Sequence, residues 1–426
     1  MTDPAWLDEG LEHIWLPYAQ MKTAPRPVAV KSTHGSRIVL HDGREIIDGI
    51  GSWWTAVHGY NHPHILAAVR AQLETMPHVM LGGLAHEQAY RLATRLAAML
   101  PGDLSRVFFS ESGSVSVEVA LKIAVQYWRN TTGEVRPRFL AFRGGYHGDT
   151  FTAMSVCDPD DSMHALFGPA LPAQYITDLP TDDARAGDMD RILSEHRDIA
   201  AVIVEPMLQG AAGMRMHGAD TLRRIRQVCD RHGALLIFDE IFTGLGRLGA
   251  MTAAHLSGVT PDIMTLGKAL TGGVTPLAAT ITTARVYHAF HHHDPAHALM
   301  HGPTYTGHAL ACAAANASLD LFEQEPRLEQ VSALESHYER TLEPLRGHPA
   351  VADVRIRGSV AAVEMAAPFD LQAARLGFLE QGVFIRPIGK TVYLAPAYTI
   401  SGAELSALTD AIPRFVEHSG IRAAGP

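Results

Sequence analysis

The sequence predicts an α/β protein with a mainly parallel central sheet covered by helices and a smaller α+β domain assembled from the two termini. Two observations carry this prediction. Between residues 66 and 325, short and nearly continuous apolar runs alternate with amphipathic stretches of helical period, the pattern of strands buried on both faces. Outside that region the alternation stops: residues 1–65 read as irregular, and residues 326–426 combine long charged helical patterns with the runs VRIRGSVAAVEM and GVFIRPIGKTVYLAP, which read as antiparallel strands. The expected organisation is a large domain over 66–325, with 1–65 and 326–426 as the two parts of a small one.

Each element has its own signal. Ile65, Leu66, Val69, Leu73 and Met76 recur at helical spacing, and AHEQAYRLATRLAAML repeats the pattern before the β-type run RVFFS. The helical stretch SVSVEVALKIAVQYW then leads to RFLAF, and GADTLRRIRQVCDRHG separates the runs IAAVIVEPM and ALLIFDE. PDIMTLGKAL and PLAATITT complete the series. No repeat period or low-complexity linker interrupts it.

Composition limits the partners. A chain of 426 residues that is 47% hydrophobic buries a large core. A formal charge of -10, with only 19% charged residues, leaves no basic stripe for nucleic acid or an anionic membrane, so small molecules are the expected partners. Cys157, Cys229 and Cys312 lack metal or redox spacing and read as packing thiols in a reducing compartment. The start, MTDPAWLDEG, shows no basic and apolar leader pattern, and no run of about 18 apolar residues follows; the expected location is cytoplasmic.

In a doubly wound sheet, ligands sit beyond the carboxyl ends of the strands. The residues that follow each apolar run are therefore the informative ones: ESGSVSVE after RVFFS, RGGYHGDT after RFLAF, PMLQG after AVIVE, DEIFTG after ALLIF, and GKALTGG after the strand near 265. Any one of these also reads as a turn or a helix cap. Together they bring a Ser-Gly turn, a tyrosine, two carboxylates and a lysine to one edge. Gly113 and Ser114, opening a helix, suit a phosphate. Asp239 at a buried strand end suits a protonated pyridine nitrogen, and a desolvated Lys268 amine suits condensation with an aldehyde. Phosphate cradle, pyridinium partner and Schiff-base lysine are the three attachments of pyridoxal phosphate.

At this point a resemblance enters. LLIFDEIFTGLGRLG followed by TLGKALTGG resembles the signature of the class III aminotransferases, a family of fold-type I pyridoxal phosphate enzymes. The finer motifs WLPYAQM, DGIGSWWTAVHGYNHP, FSESGSVSVEVALKIAVQYW, RGGYHGDT, SMHALFGP, HGPTYTGHALACAAA and GVFIRPIGKTVYL are similar to those of its biotin-pathway branch and span residues 15 to 400. The resemblance implies transfer of an amino group from S-adenosylmethionine, or lysine in close relatives, to 8-amino-7-oxononanoate, in a homodimer with active sites at the interface. It implies Lys268 as anchor and general base, Asp239 on the pyridine nitrogen, and Gly113 and Ser114 on the phosphate. Pro303 and Thr304 would be contributed by the partner copy. Tyr146 would stack on the cofactor and Tyr18 would close the site. Trp53 and Trp54 would wall an apolar channel, Gly302 would allow close backbone approach, and Arg386 would pair with the substrate carboxylate.

Two positions depart from the family pattern. Phe242 stands where many relatives carry glutamine, and Ala211 and Ala212 stand near a glutamate that relatives acting on terminal amines use against the substrate arginine. A class III ω-amino acid or diamine aminotransferase is the alternative on the same scaffold, and a non-catalytic pyridoxal phosphate carrier the alternative outside enzymology. GLGRLG at 244–249 matches a dinucleotide fingerprint, but Asp239 and Glu240 separate it from its strand and no amphipathic helix opens from it. His288, His291, His292, His293, His297 and His301 lack a carboxylate or cysteine partner set and read as a polar loop, so no metal is expected.

Overall fold

The computed structural model describes residues 4–160 and 164–419. Ser162 and Met163, the first two residues of the SMHALFGP motif, lie outside the described residues. Chain contacts separate two compact units: Pro63–Val331, and the residues up to His62 together with those from Ser332 onward.

The larger unit is built on a seven-stranded sheet in the order Leu104–Ser110, Ala278–Thr283, Ile263–Leu266, Leu235–Asp239, Ile199–Val204, Arg138–Phe142, Tyr175–Thr177. The five strands from Ile263–Leu266 to Tyr175–Thr177 run parallel. Ala278–Thr283 is antiparallel to both of its neighbours, which the apolar pattern alone does not reveal. Every residue of Ile199–Val204 and Leu235–Asp239 is buried. Such strands read as continuous apolar runs because helices cover both faces. Val117, Leu121 and Ile123 of the helix Gly113–Thr132 pack with Phe139, Ile203, Ile237 and Ile263 into one core cluster. That helix starts where Ser112 Oγ accepts a hydrogen bond from the Val115 N–H (3.3 Å) and ends at Gly133, whose φ of 78° suits a residue without a side chain.

The smaller unit corrects the expectation that residues 1–65 are irregular. Val30–His34, Arg37–Leu40 and Glu45–Asp48 form an antiparallel meander, and Val383–Phe384 adds to Glu45–Asp48 in parallel rather than antiparallel fashion. These strands escaped notice because they are four or five residues long, and the first, VKSTH, is largely exposed and carries no apolar alternation. A second sheet orders Val351–Arg357, Val360–Met365 and Thr391–Leu394, all antiparallel. Among the described residues, no helix is long and apolar enough to cross a membrane.

Ile237 is fully buried in the strand that carries Asp239 and belongs to the core cluster of the larger unit. Ile237→Ala is expected to cost about 2–5 kcal/mol by cavity formation. A denaturant titration followed by tryptophan fluorescence checks this; an unchanged midpoint contradicts the core assignment.

Candidate active site

The strand ends of the larger unit bring several sequence-predicted residues into one electrostatic neighbourhood. Leu235–Asp239 terminates in Asp239, whose carboxylate is buried. Burying a charge in this way is costly unless its oxygens are satisfied. Three donors do so: Thr265 Oγ1 to Oδ1 (3.1 Å), the Ile241 N–H to Oδ1 (3.2 Å) and His147 Nδ1 to Oδ2 (2.8 Å). Both members of the His147–Asp239 pair are sealed from solvent, so the carboxylate is fixed in direction.

Lys268 follows Ile263–Leu266, the strand adjoining that of Asp239, and its φ of 43° is left-handed. A non-glycine residue held there is strained by about 1–3 kcal/mol, which the surrounding structure must impose. Desolvation pulls the Lys268 amine below the ordinary lysine value and Arg247 adds to that, while Asp239, Glu205 and Asp149 oppose it. Phe242 lies beneath this amine: Nζ is 5.9 Å from the ring centroid, and Arg247 Cζ is 5.6 Å from the same ring. Arg247 is only 1% exposed. The ring therefore presents its negative face to the Arg247 guanidinium and the Lys268 amine.

Gly113 and Ser114 open the 20-residue helix Gly113–Thr132 and place its positive end here. A side chain at Gly113 would start 2.9 Å from Ile241 Cδ1, two residues beyond Asp239, so the helix start lies close against this strand end and a larger residue would push the Ile241 side chain aside. Ser114 Oγ accepts from the Asp149 N–H (3.1 Å) and thereby ties the helix to the loop that carries Tyr146 and His147. The Tyr146 ring stacks on His164 (centroids 5.7 Å, planes 18° apart), and its hydroxyl donates to Asp149 Oδ1 (3.1 Å). Its backbone N–H donates to Glu205 Oε2 (3.0 Å), and Gly210 N–H takes Oε1 (3.0 Å). Burial pushes Glu205 up to about 7, with Asp239 adding to the rise and His147 and the two N–H bonds opposing it. Glu240, also raised to about 7 by burial, points elsewhere: it accepts from the Ala253 and Ala254 N–H groups and caps the helix Ala253–Ser257.

The segment His301–His308 is tied to the sheet where Thr306 Oγ1 donates to the Phe109 carbonyl (2.8 Å). Its Gly302 and Thr304 are exposed and Pro303 is half-buried. A side chain at Gly302 would meet nothing within 4 Å, so packing inside this chain does not demand glycine there. Met80, Leu84 and Tyr305 are exposed apolar residues of this region, where His78 lies 4.7 Å from the Tyr305 ring.

In the smaller unit, Gly51, Ser52, Trp53 and Trp54 form a left-handed turn with φ of 54°, 47°, 55° and 72°. Left-handed conformations cost L-residues roughly 1–2 kcal/mol each. The buried Asp48 carboxylate offsets this by accepting from the Ile50 N–H (2.9 Å), the Ser52 N–H (2.8 Å) and the Tyr60 hydroxyl (2.6 Å). The turn separates its two tryptophans. Trp54 is buried against Tyr393 (6.1 Å), whereas Trp53 is 38% exposed between the Tyr18 ring (6.5 Å) and the Arg386 guanidinium, 4.7 Å above its face.

Sequence reading missed His147, Thr265 and Arg247 in the larger unit and Asp48 in the smaller. His147 carried one local signal, its place in RGGYHGDT beside Tyr146; the others become functional candidates only through their non-local partners. Among the described residues, no group of three or more His, Cys, Asp or Glu side chains is arranged to hold a metal ion.

A helix start without a side chain at its tip, a carboxylate fixed by three donors and a desolvated amine next to it fit a phosphate-bearing pyridine aldehyde. Together with the sheet order, they define a fold-type I pyridoxal phosphate-dependent transferase. Residues 18–416 match the aminotransferase class-III family, and the chain belongs to that family. It is 43% identical to the adenosylmethionine-8-amino-7-oxononanoate aminotransferase of Mycobacterium leprae (strain TN), covering 96% of this chain and 95% of that one. The crystal structure of the enzyme of the same name from Methanocaldococcus jannaschii superposes with a TM-score of 0.92 at 31% identity, covering 97% and 99% of the two chains. An amine transaminase from an uncultivated Pseudomonas species, in its pyridoxal phosphate-bound form, gives 0.89 at 34% identity, covering 96% and 99%.

The lowered Lys268 pKa has a signed consequence. Between the folded and unfolded values the unfolded chain binds more protons, so the stability of the cofactor-free protein rises with pH through this group. Thermal melts of cofactor-free wild type and Lys268→Met should therefore shift in favour of the wild type from pH 7 to pH 10. A difference independent of pH contradicts a desolvated amine.

Proposed function

We propose that the chain transfers an amino group from S-adenosylmethionine to 8-amino-7-oxononanoate, giving 7,8-diaminononanoate for biotin synthesis, by two half-reactions in a homodimer. The observation that carries this reading is the near full-length match to the Mycobacterium leprae enzyme of that name, at 43% identity. When bound, pyridoxal phosphate supplies an aldehyde that takes up the amino group and a ring that accepts electrons from the adjoining carbon.

The chain's own residues then have distinct work. Gly113 and Ser114, with the dipole of Gly113–Thr132, bind the phosphate. Asp239, aimed by His147, Thr265 and the Ile241 N–H, would pair with the pyridine nitrogen. Lys268 would hold the cofactor through its Nζ, and the freed amine would carry a proton between the substrate carbon and the cofactor carbon in each half-reaction. A lowered pKa leaves more of this amine neutral at working pH and so able to accept that proton. Tyr146, braced by His164 and Asp149, lies against the cofactor ring and the substrate.

Arg386 takes the acceptor's carboxylate, Trp53 flanks its aliphatic chain with Trp54 buttressing the turn from inside, and Tyr18 closes the site. Gly302, Pro303 and Thr304 act on the neighbouring copy, Pro303 and Thr304 at its phosphate. The exposed Met80, Leu84 and Tyr305 beside that segment support an interface there. A small-molecule reaction and the lack of a membrane-crossing helix among the described residues agree with cytoplasmic work.

Single-turnover absorbance tests the reading. S-adenosylmethionine should bleach the cofactor band, and 8-amino-7-oxononanoate should restore it with product. Bleaching by lysine, alanine or a diamine but not S-adenosylmethionine overturns the donor, and a chase without product overturns the acceptor. Lys268→Ala should lower turnover by at least about 10²–10⁴-fold. Arg386→Ala should raise the acceptor KM on the order of 10–100-fold, the effect of losing a charged hydrogen bond, while cofactor affinity changes little. An unchanged acceptor KM contradicts the carboxylate assignment.

A further inference from the structure

We propose that Lys122 and Gln126 are positioning residues for the cofactor phosphate of the neighbouring copy. From the helix Gly113–Thr132 they hold, by hydrogen bonds to its backbone, the segment that presents Thr304. That Thr304 serves the neighbouring phosphate rests on the function proposed above; the bonds that hold the segment rest on the geometry of the larger unit alone.

The chain between Pro295–His297 and the helix Ala309–Gln324 runs as an irregular connection, so its carbonyls depend on donors from elsewhere. Lys122, Gln126 and Asn130 supply them. Spaced four residues apart, they share one face of Gly113–Thr132. Asn130 Nδ2 donates to the His297 carbonyl (3.1 Å), and Gln126 Nε2 to the carbonyls of His297 (3.2 Å) and Ala298 (2.8 Å). Lys122 Nζ donates to the Met300 carbonyl (2.7 Å) and lies 3.1 Å from His301 Nδ1. An ammonium can only donate, so that nitrogen accepts, and Lys122 grips both residues that precede Gly302. The segment thus travels antiparallel to the helix, toward the end where Gly113 and Ser114 stand.

The far side is fixed as well. Thr306 Oγ1 donates to the Phe109 carbonyl (2.8 Å). His86 Nδ1 accepts from the Ala89 N–H (3.4 Å), so its Nε2 carries the proton and donates to the Gly307 carbonyl (2.8 Å). Between these two anchorages lie residues 302–305. There the Thr306 N–H donates to the Pro303 carbonyl (3.1 Å) and closes a turn, with Thr304 exposed inside it. An exposed hydroxyl on a turn held at both ends is preorganised to meet a group outside its own chain. One helix thereby serves two phosphates, its own copy's at its start and the neighbour's through Lys122 and Gln126.

Titration of the cofactor-stripped full chain with pyridoxal phosphate and with pyridoxal, followed by cofactor absorbance, tests this. Lys122→Met and Gln126→Leu should each lose about tenfold in pyridoxal phosphate affinity, while affinity for pyridoxal, which lacks the phosphate, stays within about twofold. Gln126 is uncharged, so its loss reads position and not charge. Lys122→Arg, which keeps a donor, should recover part of the affinity. Thr304→Val should lower the ratio of the two affinities by itself, and adding Lys122→Met should lower it by no more than about twofold further, because residues acting through one contact are not additive. An unchanged ratio in either single variant, equal losses for both ligands, or additive losses in the double variant overturns the proposal. Lys122 is exposed, so Lys122→Met decides alone if Gln126→Leu does not fold. A ratio lowered by Thr304→Val but not by Lys122→Met removes this proposal alone. A ratio untouched by Thr304→Val removes the phosphate role given to Thr304 above, and this proposal with it.

Discussion

The placement of one carboxylate, Asp239, at the end of a strand that is otherwise entirely apolar is the constraint on which the larger unit's chemistry depends. A buried charge demands partners, and those partners organise the surroundings: Thr265 comes from the next strand, the Ile241 N–H from the following turn, and His147 from a loop far away in sequence. The same loop sends the Tyr146 N–H to Glu205 and the Asp149 N–H to Ser114 at the tip of the long helix. Three strand ends and a helix start are thus linked through polar groups that leave water behind. In that environment an amine loses the solvation that keeps lysine charged, and the pKa of Lys268 falls below the ordinary lysine value.

Phe242 refines this balance. Its ring lies against Gly210, where a side chain would start 3.0 Å from Cδ1, and offers its face to both Lys268 and Arg247. An aromatic ring can stabilise a nearby cation without donating a hydrogen bond of its own. The smaller unit solves a similar problem with different parts: Asp48 spends its carboxylate on backbone N–H groups and the Tyr60 hydroxyl, and so stabilises a left-handed turn that exposes Trp53 beside Arg386.

Much of the candidate site was legible because strand ends in a doubly wound sheet are where ligand groups collect, and Asp239 and Lys268 interrupt the apolar runs they follow. The helix start at Gly113 was legible for the same reason. The antiparallel course of Ala278–Thr283 was not, since a strand paired on both sides shows the same apolar run whichever way it points. The meander between Val30 and Asp48 was hidden by its short, exposed strands. His147 and Asp48 look locally like loop or surface residues; their significance comes from what the fold places near them. The division of labour between Trp53 and Trp54 likewise follows from a backbone conformation that a glycine-flanked WW pair permits but does not specify.

Borohydride reduction of the cofactor-loaded protein, followed by peptide mapping, tests most directly whether the amine at position 268 is the covalent anchor. A pyridoxyl group recovered on Lys268, in the peptide that continues into ALTGG, is the predicted result. Its recovery on another side chain, or on none, would contradict the role given to the Lys268–Asp239 pocket.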